Sequence, residues 1–176
     1  KEDKIDKKIF FKNNISLKNL SFKFDDGNQQ ILKSINLDIN FGERIGIIGT
    51  TGSGKSTLVN LISGLIKPQS GEILIDGNDI NLNNRFWQRQ IGYVFPETFL
   101  TNESIRRNIA FGIEEEKIDD SSIESVIART ELIEFVENSP QKINTKIGEF
   151  GAKISSGQRQ RIGIARALYH NPKLLI

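Results

Sequence analysis

The sequence predicts an α/β fold, and three patterns within its 176 residues support this prediction. Several segments alternate apolar and polar residues, as strands with one buried face do. A glycine-rich loop separates a short apolar run from a stretch with helically spaced apolar residues, which is typical of a strand followed by a helix. Between about residues 104 and 138 the apolar positions also recur at helical spacing, so a helical insert is expected between two strand-rich parts.

The strand-like segments come first in the chain and return at its end. Two turn signals separate the early strands, one at residues 25–28 and one at 41–43, and Asp76-Gly77 closes the last of them. The run at 44–48 is nearly continuously apolar, so we expect a strand covered on both faces. Strands are predicted at 15–24, 31–39, 44–48, 71–76, 91–95 and 174–176.

The helical segments come after the glycine-rich loop. The first, with apolar residues from 58 to 66, should end before Lys67-Pro68, because proline interrupts a helix. The insert supplies further helices, and the last helix is predicted at 158–170. We expect Trp87 to pack in the core and His170 to lie at the end of the last helix.

Composition indicates one globular domain and excludes several kinds of site. A hydrophobic fraction of 37% and a net charge of +2 are ordinary for a globular protein, so nucleic-acid binding through bulk charge is not expected. The sequence has no Cys, which excludes disulfides and thiolate metal sites, and one His, which argues against a histidine-rich metal site. No apolar stretch reaches the roughly 18 residues that a membrane span needs.

Both ends suggest that the sequence belongs to a longer chain. It contains no Met, it begins Lys1-Glu2-Asp3, and its final aliphatic run stops without a closing turn. We therefore expect the parent protein to continue on both sides, with the last residues inside a buried strand.

Residues 49–56 match the pattern G-x-x-x-x-G-K-[ST] between a predicted strand and a predicted helix, the context that a phosphate-binding loop requires. Glycines allow backbone N–H groups to point inward, and the helix N-terminus adds roughly half a positive charge. Lys55 would reach the β- and γ-phosphates and Ser56 would bind Mg²⁺. The alternative is a loop that only turns a strand into a helix.

Residues 154–161 read I-S-S-G-Q-R-Q-R and open the last predicted helix. Downstream of a phosphate loop, this segment resembles the signature of ATP-binding-cassette (ABC) ATPases, usually Leu-Ser-Gly-Gly-Gln. In that family the signature completes the ATP site of a partner subunit. The alternative reading of the Ser-Gly-Gln sequence is an ordinary helix N-cap.

The resemblance extends from about residue 15 to 176 and implies a site for ATP and Mg²⁺. The fold it implies is a phosphate-loop NTPase core with an antiparallel β subdomain and a helical subdomain at about 97–145, in a domain spanning 13–176. The expected nucleotide-binding residues are Phe24, Gly49, Thr50, Gly52, Ser53, Gly54, Lys55, Ser56 and Thr57, with Ser56 also binding the metal. The residues expected to contact the partner's ATP are Ser155, Ser156, Gly157 and Gln158.

Three further segments match the family in order. Residues 91–100 resemble the segment that contains the Q-loop, residues 102–112 resemble the segment after the Q-loop in exporters, and residues 145–151 resemble the loop that contacts the membrane domain. Glu149 is the residue expected to make that contact, the alternative being a solvated carboxylate. For Phe24, expected to stack on adenine, the alternative is a core position on a strand face.

Three residues depart from the family pattern. The Q-loop glutamine falls on Pro96, which has no side-chain amide to position Mg²⁺ or water. Ser156 replaces the first signature glycine, which would strain the backbone if φ is positive there. Phe150 replaces a common arginine, a change expected to affect coupling to the membrane domain.

The catalytic residues themselves are unknown, since the family's Walker B Asp and Glu and its switch His would lie beyond residue 176. This chain alone is therefore expected to be inactive.

As a function, the resemblance implies ATP binding and hydrolysis that power export across a membrane. The implied partners are a transmembrane domain, upstream in the same chain and joined through a linker at 1–12, and a second nucleotide-binding domain in a head-to-tail dimer. The domain would lie on the cytoplasmic face of the membrane. Two alternatives stay open: a half-site that binds ATP but hydrolyses it poorly, and a soluble ABC ATPase.

Overall fold

The computed structural model describes residues 8–24 and 30–176. Backbone contacts divide the chain into two compact units, with the boundary between Gln90 and Ile91. Residues 1–7 of the expected linker and the turn expected at 25–28 lie outside the described residues. Within the expected linker, Ile9 and Phe11 are buried in the first unit.

The first unit contains an antiparallel sheet of four strands, β1 (Asn14–Phe22), β2 (Leu32–Asn40), β3 (Ser70–Ile75) and β4 (Asn78–Asp79). Their order in the sheet is β2-β1-β3-β4. Its register pairs Ile15 with Ile39 on one side and with Ile75 on the other. The central strand contributes Ile15, Leu17 and Leu20 to the buried core. The predicted antiparallel part of the fold is therefore confirmed.

The strand predicted at 44–48 is wrong for this structure. No strand is assigned there, and its apolar side chains are exposed, with Ile48 at 95%. A strand needs a neighbour to pair its N–H and C=O groups, and residues 44–48 pair with none of the strands in the described part of the chain. The apolar composition of the run predicts that other residues cover both of its faces. The described residues do not provide that cover.

Two helices belong to the first unit, α1 (Lys55–Ile62) and α2 (Asn84–Gln88). The first ends before Lys67, as predicted. Trp87 of α2 is fully buried, as expected, and its indole N–H donates to the Ile62 carbonyl at 2.8 Å. This bond satisfies one of the last carbonyls of α1, which lack an N–H partner within their own helix.

The side chain of Asp76 hydrogen-bonds to the backbone of the segment that leads into β1. Its carboxylate accepts three backbone hydrogen bonds, from Lys12 at 2.7 Å, Asn13 at 2.9 Å and Asn14 at 2.8 Å. Partial burial opposes ionisation of Asp76, but these three donors outweigh it and hold the pKa of the carboxyl below its ordinary value. The residue has a positive φ of 47°, at the turn before Gly77.

Replacing Asp76 with Asn should reduce stability mainly above pH 4. A lowered pKa in the folded state stabilises the protein above the unfolded pKa of about 3.9, and the stabilisation is lost as the pH falls through the folded value. Asn adopts positive φ readily and keeps one acceptor oxygen, so the change removes the negative charge and one of the two acceptor atoms. We expect a loss of about 1–2 kcal/mol at pH 7.

This expectation is measured by thermal unfolding of the intact wild-type and Asp76→Asn proteins between pH 7 and pH 3. The two melting temperatures should converge as the pH falls. A constant difference across this range would show that the charge of Asp76 contributes nothing to stability.

The second unit combines a short parallel strand pair with helices. Strand β5 (Ile91–Gly92) pairs in parallel with β6 (Leu174–Leu175), which confirms a strand at the end of the sequence. The expectation that this strand is buried is wrong for the structure, since Leu175 is 51% exposed. The helical insert is also confirmed, and His170 follows the last helix as its C-cap. The helices are α3 (Ile105–Ile109), α4 (Asp120–Arg129), α5 (Ile133–Glu137) and α6 (Ser156–Tyr169).

The core of the second unit lies between the insert and α6. Ile105, Ile123 and Ile162 are fully buried there, one each from α3, α4 and α6. Arg166 of α6 adds polar bonds to this packing, because its guanidinium donates to the Asn108 carbonyl at 2.8 Å and to the Phe99 carbonyl at 2.8 Å. Among the described helices, none is long and apolar enough to cross a bilayer.

Candidate nucleotide-binding site

The glycine-rich loop runs directly into α1. Gly52 and Gly54 have φ values of 82° and 90°, in the left-handed region where glycine is favoured. Gly54 is the N-cap of α1, and a Cβ there would lie 2.9 Å from Ile31 Cγ2. Gly54 is therefore required both for the turn and for packing against the residues that enter β2.

The start of the loop is equally tight. A Cβ on Gly49 would lie 2.6 Å from Ser53 Oγ, so the loop closes on itself at this residue. The Ser53 N–H donates to the Thr50 carbonyl at 3.2 Å. The loop thus returns on itself and places its middle residues next to the beginning of α1.

Lys55 lies across this loop. Its ammonium donates to the carbonyls of Gly49 at 2.9 Å and Thr50 at 2.8 Å. The first-turn N–H groups of α1, those of Lys55, Ser56 and Thr57, have no acceptor within their own helix. An ammonium and a set of free donors at a helix start form an arrangement that suits phosphate oxygens.

The residues present fit a magnesium nucleotide. The donors and the ammonium match a polyphosphate, and Ser56 is exposed at the start of α1, where its hydroxyl oxygen can reach a metal ion held by the phosphates. Within 8–24 and 30–176, no group of three His, Asp or Glu side chains could hold a metal. The metal would therefore take most of its ligands from phosphates and water, as Mg²⁺ commonly does.

Phe24 lies just after β1 in the same unit. It is 52% exposed and packs edge-to-face on Phe22, with ring centroids 5.0 Å apart. The core alternative for Phe24 is therefore wrong. Its ring is free to stack on an aromatic base, and adenine stacking stays a prediction.

The second predicted group of residues begins α6, in the second unit. Ser155 Oγ accepts from the Gln158 N–H at 3.1 Å, and Gln158 Oε1 accepts from the Ser155 N–H at 2.9 Å. This reciprocal pair is a capping box, so Ser155 is the N-cap of α6, and its contact with a partner's ATP stays a prediction. The capping box leaves the hydroxyl hydrogen of Ser155 and the amide hydrogens of Gln158 able to donate to a phosphate.

Ser156 causes no strain at the start of α6. It is the first helical residue and does not have a positive φ. A backbone cost at this position was expected only for a positive φ, and that condition is not met. At Gly157 a Cβ would meet nothing closer than Ser155 Oγ at 4.0 Å, so the helix start stays open on this side.

Glu149 lies in a short 3₁₀ turn, Glu149–Gly151, and is exposed. Its neighbour Phe150 has a φ of 51°, uncommon for a bulky residue, and lies edge-to-face on Phe99 with centroids 5.7 Å apart. The sequence marks Phe150 as a departure from the family pattern but does not predict this pair. The contact joins residues far apart in the chain, so no local pattern signals it.

Comparisons with known proteins show which family the chain resembles. A family profile described as "ABC transporter" matches residues 32–176. The chain is 45% identical to the leukotoxin export ATP-binding protein LtxB of Aggregatibacter actinomycetemcomitans, over 92% of this chain and 23% of that protein. It is 44% identical to the leukotoxin translocation ATP-binding protein LktB of Mannheimia haemolytica, over 94% of this chain and 23% of that protein.

Among solved structures, the chain superposes on a bacterial Atm1-family ABC exporter with ATP bound. The TM-score is 0.84 at 32% identity, covering 93% of this chain and 28% of the exporter chain. The predicted fold class is thereby confirmed. The chain spans less than a quarter of the length of the two leukotoxin relatives. By its family profile, its relatives and its fold, the chain belongs to the ABC transporter family.

Proposed function

We propose that this chain is the domain of an ABC exporter that binds and hydrolyses ATP. The observation that carries the proposal is the loop at 49–56, whose Lys55 ammonium rests on two loop carbonyls beside the free donors of α1. The relatives LtxB and LktB are named for leukotoxin export and translocation, which supports export as the process driven. The exported substrate is left open by this proposal.

In the proposed reaction, the chain contributes binding and charge stabilisation. Lys55 turns from the carbonyls of Gly49 and Thr50 to the β- and γ-phosphates, while the N–H groups from Gly52 to Thr57 hold the phosphate oxygens. The hydroxyl of Ser56 would help to hold Mg²⁺, which when bound would supply positive charge to offset that on the transferred phosphoryl group. Phosphoryl transfer depends on such positioning more than on covalent chemistry.

The proposed assembly has two further partners. Ser155, Gly157 and Gln158 contact the ATP of a second nucleotide-binding domain in a head-to-tail dimer, and Ser156 lies among them. Glu149 contacts a membrane domain, upstream in the same chain, through the loop at 145–151. The domain then lies on the cytoplasmic face of the membrane.

The proposal is tested with radiolabelled ATP on the intact protein in membranes. Turnover that requires Mg²⁺ and Lys55 supports an ATP-hydrolysing exporter domain. Tight binding without turnover supports a half-site that binds ATP without hydrolysing it. A protein that shows no ATP binding and no turnover would overturn the proposal.

A half-site that binds ATP but hydrolyses it poorly is the second candidate, and Pro96 favours it. This residue is exposed, and its ring offers no donor or acceptor where the family's glutamine would help to position water. If water positioning limits the reaction, Pro96→Gln should raise turnover. Groups of this kind contribute about 10²-fold or more in rate, and we expect a gain of at least about tenfold from a suboptimal start.

Turnover of Pro96→Gln is compared with that of Pro140→Gln, which changes a second exposed proline in the same unit. The control should leave the rate within about twofold of wild type, as surface substitutions usually do. If Pro96→Gln also leaves the rate unchanged, Pro96 is not what limits hydrolysis.

A further inference from the structure

The described residues before β1, 8–13, are held to the first unit although they form no strand. We call them the entry segment. Ile9 is fully buried and Phe11 is 5% exposed, whereas Lys8, Phe10 and Lys12 are exposed. This alternation is typical of an extended chain with one buried face. The entry segment therefore packs as part of the core of the first unit.

Gln90 supplies the hydrogen bonds that a neighbouring strand would otherwise supply. Its Nε2 donates to the Ile9 carbonyl at 2.6 Å, and its Oε1 accepts from the Phe11 N–H at 3.3 Å. A side-chain amide can donate and accept at once, so it replaces both backbone groups of a strand residue. The same Nε2 also donates to the Phe86 carbonyl at 3.3 Å. Gln90 thus joins the entry segment to α2.

Asp76 and Phe41 hold the rest of the entry segment. The Asp76 carboxylate accepts from the N–H groups of Lys12 and Asn13, and the Phe41 N–H donates to the Asn13 carbonyl at 2.6 Å. Backbone N–H and C=O groups outside helices and strands need partners of this kind. Because the bonds recur from Ile9 to Asn13, a displacement of the entry segment is passed on to β1.

A series of contacts within the first unit leads from the entry segment to the phosphate loop. The ring of Phe11 lies edge-to-face on Trp87 with centroids 6.1 Å apart, and the Trp87 indole N–H donates to the Ile62 carbonyl at 2.8 Å. Ile62 is the last residue of α1, and Lys55 of the phosphate loop is its first. Packed side chains, hydrogen bonds and rigid helices are the elements that carry energetic coupling between distant sites.

We propose that Gln90 is a positioning residue that couples a nucleotide at the phosphate loop to the entry segment, and through it to the membrane domain upstream. The proposal rests on the proposed function, which supplies the nucleotide and the membrane domain. ATP at the N-terminal end of α1 restrains that helix, and Trp87, Phe11 and the two bonds of Gln90 pass the restraint to the entry segment. This route is separate from the contact proposed for Glu149, because all of its residues belong to the first unit.

Coupling of this kind acts in both directions. If ATP binding favours one position of the entry segment, then that position of the segment raises the affinity for ATP by the same factor. Movement of the membrane domain would therefore change ATP binding through residues 8–13. Gln90 is the side chain on which both directions depend.

The coupling is measured by hydrogen–deuterium exchange of the intact protein in membranes, with and without ATP and Mg²⁺. Two sets of peptides are compared: those from α1, and those that cover the entry segment and the residues before it. In the wild type we expect ATP to slow exchange in both sets. Unchanged exchange at the entry segment, in a protein whose α1 responds to ATP, would overturn the proposal.

Gln90→Met removes both bonds to the entry segment and keeps a side chain of similar length. ATP should still slow exchange in α1, whereas its effect on the entry segment should fall at least about threefold, within the range by which single residues change such coupling. A purely structural role of Gln90 predicts a different result. The entry segment would then exchange faster with and without ATP, and the ratio between the two rates would stay that of the wild type, which contradicts the proposal.

Gln88→Met is the matched control. Gln88 is the last residue of α2, and its Nε2 donates to the Gly64 carbonyl at 3.0 Å, so the change removes an amide bond without touching the entry segment. The effect of ATP on the entry segment should stay that of the wild type. Equal losses in Gln88→Met and Gln90→Met would indicate a general loss of stability and count against Gln90 as the coupling residue.

Gln90→Glu provides the test if Gln90→Met does not fold. Its carboxylate can accept from the Phe11 N–H but cannot donate to the Ile9 carbonyl. The effect of ATP on the entry segment should therefore be smaller than in the wild type while α1 still responds. An effect equal to that of the wild type would contradict the proposal.

The α1 peptides separate this proposal from the proposed function. If ATP slows exchange in α1 but not in the entry segment of the wild type, only the coupling through Gln90 fails. If ATP slows exchange in neither set, the proposed function fails, and the coupling fails with it.

Discussion

Lys55→Ala should lower ATP turnover at least about a hundredfold. Loss of one preorganised donor to a transition-state oxyanion costs about 10² to 10³ in rate, and Lys55 supplies a charged donor. In the structure its ammonium is held by the carbonyls of Gly49 and Thr50, 2.9 and 2.8 Å away, so its position depends on no residue outside the loop. Removing it should therefore affect nucleotide chemistry more than folding.

Lys67→Ala is the matched control, since Lys67 is an exposed lysine that follows the same helix. Turnover and ATP affinity are measured for both variants in the intact protein, with the melting temperature as a check on folding. Full turnover in Lys55→Ala would exclude the loop at 49–56 as the phosphate site. A large fall in melting temperature would show instead that Lys55 stabilises the loop itself.

The phosphate loop is predictable from sequence because its geometry is local. Glycine at residues 52 and 54 permits positive φ, and α1 begins at Lys55, directly after Gly54 and within the glycine-rich pattern. Helices such as α4 and α6 are predictable for the same reason, since their apolar spacing and capping residues lie within one turn of each other.

The structure differs from the prediction where the outcome depends on distant partners. The run at 44–48 has the composition of a buried strand, but a strand exists only with a neighbour, and periodicity does not reveal which neighbour is present. The contact between Phe99 and Phe150 is a similar case. These two residues come from separate segments, so their proximity follows from tertiary packing and not from any spacing in the sequence.

Backbone conformation is a further limit. Whether the backbone at Ser156 is strained depends on the φ of that residue. The presence of serine instead of glycine in the sequence does not determine this φ. The structure answers the question because α6 begins at Ser156 with helical geometry. The hydrogen bonds of Asp76 cannot be predicted from the sequence for a related reason. The Asp76-Gly77 pair signals a turn, but it does not indicate that the carboxylate accepts from the N–H groups of Lys12, Asn13 and Asn14.

Trp87→Ala should produce the largest loss of stability in the first unit, about 3–5 kcal/mol. The indole is fully buried, packs edge-to-face on Phe11 with centroids 6.1 Å apart, and donates to the Ile62 carbonyl. Alanine would leave a large cavity and remove the partner of that carbonyl. Trp87→Phe keeps most of the apolar volume and loses mainly the hydrogen bond, so it should cost about 1 kcal/mol from that bond plus a smaller packing loss.

Hydrogen–deuterium exchange of the intact proteins measures this effect within the first unit. Peptides from β1 and α1 should exchange much faster in Trp87→Ala and only modestly faster in Trp87→Phe. Equal protection in all three proteins would show that Trp87 does not stabilise this unit.

Because α1 carries the phosphate loop at its N-terminus, bound ATP should slow the exchange, with a stabilisation of about 2.7 kcal/mol at a ligand concentration of about 100 Kd. Protection restored by ATP in Trp87→Ala, but not in a double variant with Lys55→Ala, would show that the packing at one end of α1 and the nucleotide at the other end stabilise the same folded unit.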